Sequence, residues 1–270
     1  MKIKFFCPRW GQEQTNFETF CNKVKHAEYD GIEMSLPIDA DERSAIVETM
    51  SAFNLELIAQ HWETFTADFE LHKTEYRTRL ENLAGVNPVF INSQTGKDFF
   101  SYEQNVALIG IANEVAKERG IKIIHETHRG KFSFAAHITA DYLKKNADLR
   151  LTLDMSHWCA VAESLLEDQP DAVDLAISRT DHIHSRVGFA EGPQIPDPRA
   201  AEWELTLAKH VAVWQRVLDC RKMDGLDSFT ITSEFGPAPY MTLLPHTKQP
   251  IADQWEINVF MKDHLKQLLK

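Results

Sequence analysis

Short runs of apolar, strand-favouring residues alternate with longer stretches of helical periodicity from one end of the chain to the other. Runs of four to eight residues bounded by turn signals predict buried strands, and longer segments with apolar positions three and four apart predict helices. The strand candidates are Ile3–Cys7, Gly31–Ser35, Leu55–Gln60, Val89–Ser93, Lys122–Glu126, Arg150–Asp154, His182–Arg186 and Thr230–Glu234. Each is followed by a helical stretch, and a strand that needs a helix before the next strand predicts parallel pairing.

The helices carry punctuation of their own. Thr15 with Glu18, and Ser101 with Gln104, have the spacing of capping boxes, in which side chains satisfy the first free amides of a helix. Val106, Ile109, Ala112 and Val115 form an inward stripe, and Gly120 stands where a left-handed C-terminal cap is wanted. The segment from Phe189 to Arg199, rich in Gly and Pro, is longer than an ordinary strand-to-helix connection. Eight units could also form an open doubly wound sheet, but that fold favours a glycine-rich turn after the first strand, where this chain reads PRWGQ. The expectation is a single-domain (β/α)8 TIM barrel spanning 1–270.

Four of the strand candidates end in IIHETHRG, LTLDMSHW, HIHSRVG and TITSEFGP, so an ionisable residue stands where each apolar run stops. In a barrel those ends meet on one face, the face that carries catalytic groups. Glu126, Asp154, His184 and Glu234 come from successive strands and are candidate ligands of one divalent metal. Alone, each would read as a rim group or helix cap. Three converging carboxylates raise one another's pKa unless a cation joins them, and oxygen-rich ligation with one imidazole suits Mn, Mg, Co or Zn.

Composition narrows the classes. A net charge of −11 over 270 residues leaves no basic stripe for nucleic acid. The cysteines at 7, 21, 159 and 220 form no C-x-x-C pair, and neither a signal peptide nor a membrane-length apolar run is evident. A cytoplasmic protein acting on a small molecule is expected, with homo-oligomer formation left open.

The chain resembles the xylose isomerase-like superfamily of sugar and sugar-phosphate isomerases and epimerases over almost its whole length. The resemblance implies that Glu126, Asp154, His184 and Glu234 bind the metal. It also implies that His157, in the Asp-x-x-His of LDMSH, handles a proton or touches substrate, and that Arg186 contacts substrate. Glu126 and Glu234 become the acid and base of an isomerisation or epimerisation of a sugar-derived ketose through a metal-stabilised enediolate. The same superfamily contains apurinic endonucleases with a three-zinc cluster. His61 matches one of their extra histidines, but Asn92 and Ser93 stand where another is expected, and Asp197-Pro198-Arg199 replaces their Asp-x-His. A further glutamate of the ketose epimerases is replaced here by Phe132. A metal-dependent phosphodiesterase and a non-catalytic sugar-binding barrel are the rival readings.

Trp10, Trp62 and Trp158 fall at strand ends and are candidates, with His61, for a wall against a sugar; helix packing explains any one tryptophan equally well. Arg9, Arg129 with Lys131, and Arg199 could each meet a phosphate or carboxylate, while Cys159 reads as packing and His182 as a hydrogen-bonded barrel-interior residue. The Phe189–Arg199 segment is expected to close over the site as a lid.

Overall fold

Eight parallel strands close on themselves in the computed structural model, which describes residues 1–269. They are β1 (Lys2–Pro8), β2 (Gly31–Met34), β3 (Glu56–His61), β4 (Ile91–Ser93), β5 (Ile123–Glu126), β6 (Leu151–Leu153), β7 (Thr180–His184) and β8 (Ser228–Thr232). Closure is made by β1 against β8, in register from Lys2 opposite Ser228 to Phe6 opposite Thr232. The outer ring comprises α1 (Phe17–His26), α2 (Ala40–Ala52), α3 (Phe69–Ala84), α4 (Tyr102–Arg119), α5 (Ala136–Lys145), α6 (Met155–Ala162), α7 (Pro170–Ser178), α8 (Glu204–Met223) and α9 (Gln254–Leu268). Both α6 and α7 lie between β6 and β7, so that crossover has one helix more than the simple repeat. The expected strands all appear, but β7 and β8 stop two residues early, at His184 and Thr232, where the ladder ends and the loops diverge.

Two-residue periodicity divides each strand between two environments. Phe5, Leu57, Ala59, Ile91, Leu151, Leu153, Ile183 and Ile231 belong to the core shared with the helices. Phe6, Ile58, Phe90 and Ile124 form a separate small cluster from alternate positions on β1, β3 and β5 and the approach to β4. On the other side of the barrel the corresponding positions are polar: His182 contacts Thr230, Thr232 and Glu33, and its ring lies 5.2 Å from that of Phe90. The interior therefore grades from an apolar plug to a hydrogen-bonded layer.

The caps follow local chemistry. On α4 both capping-box bonds form, Ser101 Oγ accepting from Gln104 N at 3.2 Å and Gln104 Oε1 from Ser101 N at 2.9 Å, and Gly120 ends the helix at φ 65°. Val106 is half-buried, and Asn105 and Leu108 complete the inward stripe with Ile109, Ala112 and Val115. The Thr15–Glu18 box does not form. Asn16 caps α1 instead, accepting from Thr19 N at 3.2 Å, because the asparagine takes the cap one residue later and leaves Thr19, not an acid, at the third helical position. No helix among the described residues is long and apolar enough to cross a membrane.

Candidate metal centre

Glu126 is the last residue of β5, Asp154 follows β6, His184 ends β7, and Glu234 lies two residues beyond β8. All four are buried, and each offers one ligand atom within 4.8 Å of the others. Asp154 also caps α6: Oδ1 accepts from Ser156 N at 3.0 Å, while Oδ2 pairs with Arg186. This aspartate is therefore a helix cap and a member of the quartet at once.

Glu33, on β2, sets the orientation of His184. Its oxygens lie 3.0 and 3.1 Å from His184 Nε2, 3.2 Å from His182 Nε2 and 2.8 Å from Asn92 Nδ2, and it accepts from Thr232 Oγ1. A carboxylate only accepts, so it favours a proton on His184 Nε2 and turns Nδ1 toward the quartet. Nδ1 lies 2.8 Å from Glu234 Oε2 and 3.7 Å from Glu126 Oε1 and makes a hydrogen bond to neither. Glu126 Oε1 likewise has no hydrogen-bond partner. Two unsatisfied buried ligand atoms inside a carboxylate-rich cluster fit a divalent cation. Glu33 had no distinguishing motif in the sequence; the signal there was an acid inside the short strand candidate GIEMS.

The charges are already partly balanced by the protein. Burial lowers the His184 pKa, but Glu234, Glu33 and Glu126 overcome that and leave it well above the usual histidine value. Arg186 is fully buried, pairs with Asp154, and approaches Glu234 Oε2 to 3.7 Å. Burial raises the Glu126 carboxyl with only partial compensation from His184, whereas at Glu234 the adjacent His184 and Arg186 outweigh burial and lower it. The two glutamates are thus driven apart in acidity. Burial, with repulsion from His128 and Arg186, holds His157 well below its usual pKa. Its Nε2 receives Arg186 at 2.7 Å, so it serves to position the guanidinium.

A cavity of about 740 Å³ opens over Glu126, Glu234 and Arg186, with Trp10, Trp62, Gln60, Gln94, His128 and Tyr240 also in its walls. Gln60 Nε2 donates to Glu234 Oε1 at 3.1 Å; Gln94 Nε2 and Asn92 Nδ2 donate to Glu126 Oε2 at 3.2 and 3.3 Å. Trp10 meets Tyr240 edge-on at 5.0 Å, and Arg186 lies over the Tyr240 ring. His157 stands behind this wall, outside the lining.

Several sequence expectations need correction. Trp158 does not line the cavity: it is 1% exposed on α6, and its indole N–H donates to Ser133 O, because the helix starting at Asp154 turns that position into the core. His61 is also absent from the lining; its nitrogens meet Ser93 Oγ and Thr64 Oγ1 in the buried interior. The Phe189–Arg199 segment contributes nothing to the cavity wall. It folds on itself through Phe189 and Gly192, Gln194 exchanges bonds with the Gly236 backbone, and Arg199 pairs with Asp197 and Glu256. Lys131 is buried with no hydrogen-bond partner at Nζ and lies outside the lining. Cys159 is buried, and burial pushes its thiol up to about 12, as packing requires.

No family model matches the chain, and no curated protein matches it. Among solved structures it is similar to a 3-keto-D-glucoside 4-epimerase from E. coli, with TM-score 0.63 and 13% identity over 98% of this chain and 100% of that one. A xylose isomerase domain protein from Planctomyces limnophilus gives TM-score 0.62 and 10% identity over 99% and 95%. Endonuclease IV from Thermus thermophilus gives 0.60 and 13% over 100% and 99%. What the chain shares with all three is the (β/α)8-barrel fold.

Proposed function

We propose that this protein is a divalent-metal-dependent isomerase or epimerase of a sugar-derived ketone. The observation that carries the reading is the buried quartet beneath the cavity, which Glu126 and Glu234 line, with Glu126 Oε1 and His184 Nδ1 unsatisfied. Glu126, Asp154, His184 and Glu234 would hold the cation, which when bound polarises a carbonyl and offsets negative charge developing on its oxygen.

The protein's own groups account for the proton transfers. Glu126 and Glu234 both reach the cavity, and amides anchor one oxygen of each. Placed on separate strands, β5 and the end of β8, they can flank a carbon next to a ketone: one takes the proton, and the other delivers one to the opposite face or to the neighbouring atom. Arg186, held by Asp154 and His157 and backed by Tyr240, presents a fixed donor at the polar end of the cavity. Trp10 and Trp62 offer apolar faces to sugar C–H groups and reduce access of water.

The test is deuterium incorporation from D2O into ketoses and keto-glycosides, followed by mass spectrometry with metal-loaded and chelator-stripped protein. Glu126→Gln and Glu234→Gln are each expected to lower exchange by about 10²–10⁴-fold, the usual contribution of a general acid or base, with further loss where the metal is disturbed. Near-normal exchange in either variant would falsify the acid–base assignment. Tight metal binding without exchange favours the non-catalytic barrel, and about three zinc ions per chain would favour the hydrolase that its structural likeness to endonuclease IV raises.

A further inference from the structure

The cavity has two chemically different halves. Over the quartet its wall is polar, formed by Gln60, Gln94, His128 and Arg186. The opposite wall comes from β2, its following loop and α2, through Met34, Leu36, Pro37 and Ile46. Polar atoms on this second wall are already occupied. Arg79 Nη2 donates to the Leu36 carbonyl at 3.0 Å and to Ser35 Oγ at 3.1 Å, and also pairs with Glu63, which accepts from Ser35 Oγ. Apolar side chains therefore remain to meet a ligand. Trp62, also in the lining, is 43% exposed.

Size and charge point the same way. At about 740 Å³ the cavity is well within the range of roughly 300–1,000 Å³ typical of drug-sized ligands, larger than one small sugar requires. No lysine lines it. The charge of Arg186 is offset by Asp154 and Glu234, and Arg9 gives Nη2 to the carbonyls of Thr15 and Glu13 and packs over Phe20. Arg9 Nη1 has no hydrogen-bond partner, and Glu13 shares that wall and balances its charge. With a divalent cation at the quartet, these charges roughly cancel and leave no positive excess for a phosphate dianion.

We propose that the substrate is an uncharged sugar ketone bearing an apolar substituent, such as an aryl glycoside, with its ketone over the quartet and its substituent against the Met34, Leu36, Pro37, Ile46 and Trp62 wall. This rests on the proposed sugar-ketone chemistry and adds the class of substrate to it.

The experiment compares phenyl and methyl 3-keto-β-D-glucopyranoside, with D-fructose 6-phosphate as the charged probe, on the full-length metal-loaded protein. Dissociation constants come from tryptophan fluorescence, since Trp10 and Trp62 line the cavity; deuterium exchange is recorded on the same samples. The phenyl compound is expected to bind about 10-fold tighter or better than the methyl compound, the scale of an added group filling an apolar pocket. Ile46→Glu, on half-buried α2 surface, should bring that ratio close to one. A wild-type ratio near one, no saturable binding of either glycoside, or tighter binding of the phosphate overturns the substrate class. If phenyl preference and its loss in Ile46→Glu are observed without metal-dependent exchange in any probe, the binding proposal stands and the isomerase reading fails.

Discussion

At the scale of single residues, the centre depends on side chains that act through others. Glu33 fixes the His184 ring from behind while accepting from several buried donors, and burial is overcome by His184 and His182 so that its pKa lies well below the carboxylate range. Glu33→Gln is expected to weaken metal binding by about 10–100-fold, the usual effect of losing a carboxylate behind a ligating histidine. Competition with a chromophoric chelator measures it; unchanged affinity would mean that the strand backbone alone orients His184. Lys131 presents the opposite case, a buried ammonium with no hydrogen-bond partner and the Phe65 ring 5.7 Å from its charge. Burial, aided by repulsion from Lys97, lowers it from 10.5 to about 8. Between those values the unfolded chain holds a proton that the folded protein has released, so this group makes stability rise with pH and costs most below about pH 8. Lys131→Met should therefore stabilise the protein at pH 7 by on the order of 2 kcal/mol, with the gain shrinking towards pH 10. Urea unfolding of both proteins at the two pH values decides it, and a destabilised variant at pH 7 would show that the ammonium has a favourable role.

Among the elements, the segment after β7 is the one whose behaviour differs most from the sequence expectation. Gly and Pro marked it as a bendable lid, but the same residues serve turns that stitch it to neighbouring backbone: Ile195 N donates to Val187 O at 2.8 Å, and Gln194 takes Gly236 N at 2.7 Å and gives to Gly236 O at 3.2 Å. Gln194→Ala removes both side-chain bonds from a buried site, and a loss of about 1–3 kcal/mol is expected for the unsatisfied backbone groups. Metal affinity should change little, because Gln194 touches none of the four candidate ligands. Thermal unfolding and metal titration of this variant separate the two effects; a stable variant with weakened metal binding would return the segment to the active-site machinery. Strand β2 makes the contrasting point. It carries Glu33 inside the barrel and leads directly into the apolar cavity wall, so one short element sets both histidine orientation and ligand space.

For the molecule as a whole, the barrel gathers ligands from strands far apart in sequence, so metal binding and stability should be linked. A cation that binds only the folded protein adds about 2.7 kcal/mol at a concentration 100 times its Kd, or roughly 5 °C in Tm for a chain of this size. Calorimetry with stripped and metal-loaded protein is expected to show this rise, with a smaller one in Glu126→Gln; no rise with any of Mn, Mg, Co or Zn would sink the candidate centre. The strand-and-helix rhythm, the parallel order and the recurrence of Glu126, Asp154, His184 and Glu234 at strand ends were legible in sequence because period and spacing are local, repeated properties. His182 was legible as an interior group for the same two-residue reason, and Ser101 with Gln104 as a cap. Tertiary structure alone decided that Trp158 faces the core, that Arg186 neutralises Asp154, and that Glu33 reaches His184 across the barrel. Those outcomes depend on helix rotation, rotamer and distance between strands remote in sequence, which hydrophobic periodicity does not encode.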